Sequence, residues 1–579
     1  MDPTQSLIDL AELARFEEAL DGYFSGDIDP ERFTAMRLQH GVYGQRQEGV
    51  NMLRVKLPGG RLSPDGLEAV ADVLERYAQH DSVHITTRQD IQVHFVPLKH
   101  APAAMQRLAQ AGLTTREACG NTIRNITACP LAGVCPREHV DVREHHAAAV
   151  SHFLRNPLNQ QLPRKFKISF SGCQDHCGLA PIQDVGAVAV VEGENGIGRR
   201  GFQLYVGGGL GASPQVAQPL EDFTSADDLL VTIAAIVRVF DRTGNRENKS
   251  LARLKFVIRT LGMDKFRTLV FTERAALRMV LAGKIPRVFV PPSPHRPVPE
   301  GAEHGGQPSD DPEYHRWHTT NVRPQKQAGY VMVTARLPLG DVAAQQLRVL
   351  AFLARQFGDG TVRTTNQQNV LLRWIPKSKL PGVFRLLKGA GLAAPSADRL
   401  ADITSCPGSE TCQLGITSSC GLALEIGKLF ANGHADLADE AGIRIKISGC
   451  PNSCGHHHLA EIGFSGGAKE FHGRQVPAYQ VYLGASLALD RTTFARPAVK
   501  VPARNAPALV GRLLDLYRAE GLEDERFAAF VERIGLPRIR EWVRDLTDLP
   551  PEHDAPEAYQ DWGSAGGFVV ETGPGECAS

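Results

Sequence analysis

The sequence has no excess of charge of either sign and no long hydrophobic run. Lysine and arginine number 64 and are matched by 64 aspartate and glutamate residues, so we expect neither a nucleic-acid partner nor a charged membrane surface as partner. No apolar stretch approaches the roughly 20 residues that a membrane-spanning helix needs. The first residues are acidic and amphipathic and lack the basic start of a secretory signal. We therefore expect a cytoplasmic protein.

Cysteine is scarce, but its spacing is informative. The chain has 11 cysteines, and a reducing compartment disfavours disulfides as their main role. Eight of them form two groups, each with the pattern C-x5-C, 37 intervening residues and C-x3-C. The first quartet is Cys129, Cys135, Cys173 and Cys177; the second repeats it at one constant displacement as Cys406, Cys412, Cys450 and Cys454. The sequence assigns no role to Cys119, Cys420 or Cys577.

A similar displacement links other segments, which indicates an internal duplication. TTRQDIQVHF near Thr86 corresponds to TTNQQNVLLR near Thr364, and QLYVGGGLG near Tyr205 to QVYLGASLA near Tyr482. Each copy begins with the order strand, helix, strand, strand, helix, which is typical of a ferredoxin-like half-domain. A larger α/β part carrying the cysteines follows, and in the first copy it ends with a helix near residues 227–240.

We therefore predict an α+β fold, internally duplicated, with two ferredoxin-like half-domains and two larger α/β domains in a pseudo-twofold arrangement. The predicted segments are a helical extension (1–35), the first half-domain (36–112) and its larger domain (113–285), a linker (286–322), the second half-domain (323–390) and its larger domain (391–548), and a tail (549–579). The linker is rich in Pro, Gly and His, and we interpret His295 and His304 there as parts of a solvated connector.

Four cysteines from two distant segments can converge on structural zinc or on an iron–sulfur cluster. The C-x5-C spacing is long for a zinc site, which favours a cluster, although a zinc-stabilised structural protein stays open as an alternative. In GCPNSCG, the residues Gly449, Pro451 and Gly455 predict a sharp loop whose backbone N–H groups can reach the sulfurs.

The combination of C-x5-C with GCPNSCG resembles the nitrite and sulfite reductase family that uses sirohaem, over nearly the whole chain. The resemblance implies that Cys406, Cys412, Cys450 and Cys454 bind a [4Fe–4S] cluster and that Cys454 also bridges to the sirohaem iron. It gives no ligand role to His456–His458, which we expect to form a polar turn. The first quartet departs from the familiar pattern, and two hypotheses stay open for it: a remnant of the duplication, or a second [4Fe–4S] cluster.

The first copy carries cations that the second copy lacks. Arg54, Arg88 and Arg124 are matched by Thr334, Asn366 and Ala401, while we align Arg444 and Lys446 with Lys165 and Lys167. The resemblance implies that one cation set, Arg54, Arg124, Lys165 and Lys167, surrounds the substrate. It implies that Arg88 and Gln92 hold sirohaem carboxylates and that Arg246, Asn248 and Lys255 face the cofactor. We expect the glycines at 207–211 to form a tight turn rather than a nucleotide site.

The activity that the resemblance implies is the six-electron reduction of sulfite to sulfide by an assimilatory sulfite reductase. Nitrite reduction to ammonia with the same cofactors is the alternative, and a non-catalytic iron–sulfur electron carrier is a more remote one. Two lysines suit the dianion sulfite, whereas nitrite-specific relatives tend to carry Lys-x-Asn at this place. Because no flavin or nicotinamide domain is visible, we expect the electrons to come from ferredoxin or from a separate NADPH flavoprotein.

Overall fold

The computed structural model describes residues 7–175, 177–193, 198–281, 310–487, 492–564, 566–573 and 575–576. His295, His304 and Cys577, singled out above, lie outside the described residues. The structure confirms the predicted α+β fold and its duplication, because the order of helices and strands in the first copy recurs in the second.

The first copy begins with two helices and then forms the predicted half-domain. These elements are α1 (Leu10–Ser25), α2 (Pro30–Gln39), β1 (Val42–Gly44), β2 (Val50–Val55), β3 (Arg61–Leu62), α3 (Pro64–Tyr77), β4 (Ser82–Ile85), β5 (Ile91–Pro97) and α4 (Ala101–Gln110). The larger domain follows with β6 (Thr127–Ala128), α5 (Arg143–Phe153), β7 (Ile168–Ser171), β8 (Val185–Glu192), β9 (Arg199–Val206), β10 (Gln218–Ser225), α6 (Ala226–Thr243), α7 (Leu254–Leu261) and α8 (Met263–Leu281).

The second copy repeats this order. Its half-domain contains α9 (Pro312–Asn321), β11 (Val322–Pro324), β12 (Tyr330–Ala335), β13 (Asp341–Ala343), α10 (Ala344–Gln356), β14 (Val362–Thr364), β15 (Val370–Pro376) and α11 (Leu380–Gly389). Its larger domain contains β16 (Thr404–Ser405), α12 (Ser419–Leu429), β17 (Ile445–Ser448), β18 (Ile462–Phe471), β19 (Arg474–Leu483), β20 (Ser486–Leu487), β21 (Thr492–Thr493), β22 (Arg496–Pro502), α13 (Ala506–Glu520), α14 (Phe527–Ile534) and α15 (Leu536–Trp542). Helix α9 lies inside the segment that we had assigned to the linker.

Local sequence signals explain the helix that covers the first half-domain. Ser63 is the N-cap of α3 and accepts a hydrogen bond from the N–H of Gly66, and Pro64 occupies the first helical position. The apolar stripe of this helix faces the core, with Leu67 and Val70 buried. The corresponding helix α10 packs against α3, so the two half-domains share one hydrophobic core.

The half-domains exchange edge strands. The first sheet has the order β1-β2-β5-β4-β13 and the second has the order β11-β12-β15-β14-β3. Each sheet therefore ends on a short strand from the other copy, with Val342 opposite Val83 in one and Leu62 opposite Val362 in the other. The pseudo-twofold arrangement is consequently built into the hydrogen bonding of the two sheets.

Each larger domain is a mixed five-stranded sheet that presents loops at one edge. Strands β6, β7 and β8 run parallel, as do β16, β17 and β18, and the remaining strands of each sheet are antiparallel. Helix α6 covers the first sheet, and Ser225 caps it by accepting from the N–H of Asp228. None of the helices in the described part of the chain has the length and apolar character needed to cross a membrane.

Candidate functional site

The second cysteine quartet lies at the carboxyl ends of two paired parallel strands. Strand β16 ends one residue before Cys406, and β17 ends two residues before Cys450. These strands are hydrogen-bonded neighbours, with Ser405 opposite Ile447, and the N–H of Cys406 donates to the carbonyl of Ile447 at 3.2 Å. Because parallel strands deliver their following loops to the same edge, both cysteine pairs meet there.

The four thiols of this quartet form one electrostatic group. Burial, and then the neighbouring Cys454, Cys406 and Cys412, raise the pKa of the Cys450 thiol. The backbone N–H of Gly449 donates to the sulfur of Cys406 at 3.3 Å, as expected for the sharp GCPNSCG loop. Among the described residues, no three His, Cys, Asp or Glu side chains are grouped closely enough to hold a single metal ion. Four cysteine sulfurs with backbone N–H donors around them are the ligand set of an iron–sulfur cluster.

A loop of the first copy contacts the second quartet. The hydroxyl of Thr87 donates to the carbonyl of Cys454 at 2.8 Å, and the next residue, Arg88, donates to the side chain of Gln183 at 3.0 Å and to the carbonyl of Asn125. Burial lowers the pKa of Arg88 to about 10. The structure thus places a desolvated guanidinium beside the turn that carries Cys454.

Lys167 lies in the same cation group. Burial, and then the charges of Arg88, Arg253 and Lys165, lower its pKa well below the ordinary lysine value. Arg253 donates two hydrogen bonds to the nearby carboxylate of Asp184, at 3.2 and 2.8 Å. From Lys167 this carboxylate accepts only the backbone N–H, at 2.9 Å. Within the described ranges, the Lys167 ammonium therefore has no hydrogen-bond or ion-pair partner.

Tyr43 connects the other two predicted substrate cations. The guanidinium of Arg54 lies 5.0 Å from the centre of the Tyr43 ring, and Arg124 donates to the Tyr43 hydroxyl at 3.2 Å. Arg124 is buried and is also held by the carbonyls of Gly120 and Ala118. Gln92 is the cross-strand partner of Arg54 in the β2–β5 ladder. Arg124 acts on the pKa of Arg88 as well, so both arginines belong to the same group.

Lys255 closes the glycine-rich loop. Its ammonium donates to the carbonyls of Leu210 and Ser213, at 3.0 and 2.6 Å, and burial lowers its pKa to about 8. Gly207 and Gly211 have positive φ angles of 77° and 100°, which supports the expected tight turn. Lys255 is within electrostatic range of Arg253 and Lys165, so the loop borders the cation group.

Arg246 and Asn248 are placed differently from the other predicted cofactor residues. Arg246 is exposed and pairs with Asp241 at 2.6 Å, while Asn248 caps the short turn that follows it. Arg246 also donates to the carbonyl of Gln161 at 2.9 Å, and the described contacts of neither residue bring it together with Arg88 and Lys167. The residue that does reach the group from this segment is Arg253, which we did not single out from the sequence although it lies between Asn248 and Lys255.

The three histidines after Cys454 form a turn, but a buried one. His457 and His458 face each other through their Nε2 atoms at 3.1 Å, and His458 also contacts the carbonyl of Gly211 at 3.2 Å. Burial, and then Lys446, Lys167 and Arg88, lower the pKa of His456 well below the ordinary histidine value. The expectation of an ordinary polar turn is therefore wrong in one respect: these imidazoles pack under the cation group.

The strand registers correct one of our correspondences between the copies. Thr127 pairs with Ser169 in the first sheet, and Thr404 pairs with Lys446 in the second. Lys446 therefore corresponds to Ser169, and Arg444 corresponds to Lys167, because the displacement that relates the two quartets holds through the strand. The second copy thus keeps one cation of the Lys165–Lys167 pair and gains a buried lysine whose pKa is lowered to about 7 by burial.

Comparison with known proteins agrees with this geometry. The model described as "Nitrite and sulphite reductase 4Fe-4S domain" matches residues 119–278 and 396–549, and the model described as "Nitrite/Sulfite reductase ferredoxin-like half domain" matches residues 43–111 and 323–390. The four matches follow the two copies and cover most of the chain. The first description favours a cluster over the zinc alternative.

Among the individual relatives, some are named nitrite reductase and others sulfite reductase. A ferredoxin–nitrite reductase of Synechococcus elongatus is 30% identical over 80% of this chain and 85% of its own length. A protein named sulfite reductase [ferredoxin] 2 of Mycolicibacterium paratuberculosis is 30% identical over 89% of this chain and 86% of its own. The solved structure of the Mycobacterium tuberculosis NirA protein superposes with a TM-score of 0.75 at 28% identity, over 89% of this chain and 92% of that one.

Proposed function

Since the chain belongs to the nitrite and sulfite reductase family, we propose that it is an assimilatory sulfite reductase. It reduces sulfite to sulfide by six electrons and carries sirohaem and a [4Fe–4S] cluster as cofactors. The observation that carries this proposal is the Lys167 ammonium, which lies among Arg88, Arg253 and Lys165 while its neighbouring acid is taken by Arg253. A group of buried cations is costly unless an anion neutralises it, and a dianion neutralises it better than a monoanion.

The residues present fit both cofactors. Cys406, Cys412, Cys450 and Cys454 would hold the cluster, and the thiolate of Cys454 would be shared with the sirohaem iron. Sirohaem is a polycarboxylate, so Arg88, Gln92, Lys255 and Arg253 would hold its carboxylates. When bound, these two groups supply the electron-transfer chemistry.

The remaining cations act on the substrate. Arg124 is fixed by two backbone carbonyls and by Tyr43, so it offers a rigid guanidinium to an oxyanion. Arg54 shares the Tyr43 ring and faces the same space. Lys165 and Lys167 would stabilise negative charge and donate protons as oxygen leaves as water. A lysine with a lowered pKa is the better proton donor near neutral pH.

Nitrite reduction is the second candidate function. It is supported by the relative named ferredoxin–nitrite reductase, which is as similar to this chain as the one named sulfite reductase. The electron donor that the relatives' names support is ferredoxin, and a separate NADPH flavoprotein is the alternative. Placement in the cytoplasm stays a prediction.

A spectroscopic and kinetic experiment tests the proposal. Purified protein should show sirohaem absorption bands that shift when sulfite is added. With reduced ferredoxin or methyl viologen as donor, kcat/KM for sulfite should exceed that for nitrite. A higher value for nitrite would favour the second candidate, and a protein with cluster absorption but no sirohaem bands would favour a non-catalytic electron carrier. Sulfite-dependent NADPH oxidation by the chain alone would contradict the need for a donor protein.

A further inference from the structure

The first cysteine quartet is not used by the proposed function. We propose that Cys129, Cys135, Cys173 and Cys177 bind a second iron–sulfur cluster, at the position related to the first cluster by the pseudo-twofold arrangement. The proposal rests on the backbone that holds these cysteines, on the way their loops are anchored, and on the charges around them.

The backbone hydrogen bonds that hold the second quartet recur around the first at the same displacement. The N–H of Cys129 donates to Phe170 as that of Cys406 does to Ile447, and the N–H of Cys135 donates to Leu131 as that of Cys412 does to Gly408. The carbonyl of Gly172 accepts from residues 139 and 140, as that of Gly449 accepts from residues 416 and 417. All of these distances lie between 2.7 and 3.3 Å.

Side-chain contacts extend this equivalence to the turn that carries the last cysteine. The N–H of Gly178 donates to the hydroxyl of Ser171 at 3.1 Å, and that of Gly455 donates to Ser448 at 3.0 Å. The turn thus has the same anchor in both copies, although SGCQDHCG lacks the proline of SGCPNSCG. The missing proline therefore does not remove this anchor of the cage.

Each quartet is also fixed by the half-domain of the other copy. The loop between Cys129 and Cys135 accepts from the N–H of Lys326 at 2.9 Å and from the side chain of Gln327 at 3.0 Å. The loop between Cys406 and Cys412 accepts from the N–H of Arg46 at 2.9 Å and from the side chain of Gln47 at 2.7 Å. Both loops are therefore held from outside, which preorganises the cysteines for a ligand.

The contact to the last cysteine is reciprocal as well. Asn366 donates to the carbonyl of Cys177 at 2.8 Å, as Thr87 donates to that of Cys454 at 2.8 Å. The same loop therefore holds the last cysteine of the quartet in both copies, by a hydroxyl in one and by an amide in the other.

The sulfurs of the first quartet lie in two close pairs and largely out of solvent. Cys129, Cys135 and Cys173 are at most 5% exposed. Cys129 hydrogen-bonds with Cys177, and Cys135 hydrogen-bonds with Cys173. On binding, each thiol gives its proton to solvent and its sulfur becomes a thiolate ligand of iron, with small side-chain rotations separating the two pairs.

The charge of Asp175, which would add to that of an anionic cluster, is neutralised. Its carboxylate pairs with Arg137 at 2.9 Å, and the sulfur of Cys173 lies 3.4 Å from the same oxygen. An arginine beside the cluster loop lowers the cost of placing an anionic centre there.

The site would take a cluster alone. Asn366 occupies the position of Thr87, and the residues at the positions of Arg54, Arg88 and Arg124 are Thr334, Gln367 and Ala401, so no guanidinium is available at those positions for a tetrapyrrole carboxylate. The chemical class of the ligand is therefore an iron–sulfur cluster with four thiolate ligands and no attached haem.

Iron and acid-labile sulfide analysis of anaerobically purified protein tests the proposal, with two matched double variants. Sirohaem with two [4Fe–4S] clusters should give about nine irons and eight sulfides per chain. The variant Cys129→Ser/Cys173→Ser should lose about four of each and keep the sirohaem bands, whereas Cys406→Ser/Cys450→Ser should lose its own cluster. Cys119→Ala, a buried cysteine of neither quartet, should keep the full content.

About five irons and four sulfides in wild type, unchanged in Cys129→Ser/Cys173→Ser, would overturn the proposal while leaving the proposed function intact. Wild type alone can also overturn the proposal. It would do so if it contained five irons and if iodoacetamide modified all four thiols of the first quartet in the native protein. Two disulfides among these cysteines after anaerobic purification would also overturn it. An iron and sulfide content that stays unchanged in Cys406→Ser/Cys450→Ser would instead refute the proposed function.

Discussion

The two copies use the same acidic position in opposite ways. Asp184 and Glu461 correspond, and each accepts a backbone N–H from the strand before it, from Lys167 and from Arg444 respectively, at 2.9 Å. In the second copy the side chain of Arg444 itself neutralises Glu461. In the first copy Arg253 neutralises Asp184 instead, so the side chain of Lys167 does not pair with this acid. The two copies thus differ in which arginine binds the acid, and under the proposed function this difference leaves Lys167 available to the substrate anion.

The two copies keep the same cysteines but differ in their cations. The hydrogen bonds around both quartets are alike, whereas the positions of Arg54, Arg88 and Arg124 hold no arginine in the second copy. After a duplication, a backbone cage that depends on many residues at once is preserved more easily than a charge carried by one side chain.

Replacing Cys454 by Ser should abolish sulfite reduction, by at least about 1000-fold. Changes to groups that merely support a metal ligand cost about 10- to 100-fold, and this thiolate is proposed to be shared by two iron centres. Reduced methyl viologen oxidation with sulfite measures the loss, with Cys119→Ala as the folding control. Turnover of the variant at the wild-type rate would end the assignment of Cys454.

Replacing Arg253 by Leu should destabilise the protein by about 3–5 kcal/mol, because it leaves the buried carboxylate of Asp184 uncompensated. The double variant Arg253→Leu/Asp184→Asn should recover much of this stability, since the amide oxygen still accepts the N–H of Lys167. Urea denaturation measures the free energy of unfolding. The control Arg246→Leu removes an exposed ion pair and should lower the free energy of unfolding by no more than about 1 kcal/mol. Equal losses of stability in Arg253→Leu and Arg246→Leu would contradict the special role of the buried pair.

Replacing Lys167 by Asn should lower kcat/KM for sulfite by about 10- to 100-fold, the effect of losing a hydrogen bond to a charged group. The value for nitrite should fall less, so that the ratio moves toward nitrite. Lys249→Asn, an exposed lysine of the same copy, is the control. If Lys167→Asn leaves the ratio of the two anions unchanged, Lys167 does not determine selectivity.

Lys446 should make stability depend on pH in the second copy. Its folded pKa is about 7, while the unfolded value is about 10.4. Between these values the unfolded chain binds more protons, so the free energy of unfolding should rise with pH by up to about 1.4 kcal/mol per unit. The charged groups that act on this lysine are Arg444, Asp402, Glu461 and Asp398.

The variant Lys446→Met should lose this rise between pH 7 and 9, whereas Lys428→Met, an exposed lysine, should keep it. Urea midpoints at three pH values measure the slope. Identical slopes in wild type and Lys446→Met would show that the buried ammonium is not deprotonated on folding.

Most of the fold and the cysteine site could be predicted because both depend on the spacing of residues along the sequence. The constant displacement between the quartets is visible without any structural knowledge, and Ser63 and Ser225 mark helix starts through local chemistry. The exchanged strands could not be predicted, because two or three residues carry no periodicity and their pairing partner lies in the other copy.

The cation site was predicted in outline only. Lys167 was found, but Arg253 was missed because its role depends on facing Asp184, which is distant in sequence. Arg246 and Asn248 were included because they lie in the same segment, although their described contacts lie outside the cation group. Lys446 was aligned with Lys167 because Lys-Phe-Lys and Arg-Ile-Lys look alike, whereas strand pairing aligns it with Ser169.

The exchange of β3 and β13 has a consequence for how this protein is made. A chain cut between the copies would yield two fragments, each with a sheet that lacks its outer strand and with α3 or α10 uncovered. Neither fragment has a complete sheet until the other is present, so co-expression should succeed where separate expression gives aggregates. Because the last strand of the first sheet belongs to the second copy, with Asp341 opposite His84, that sheet stays open on the ribosome until the second copy has been synthesised.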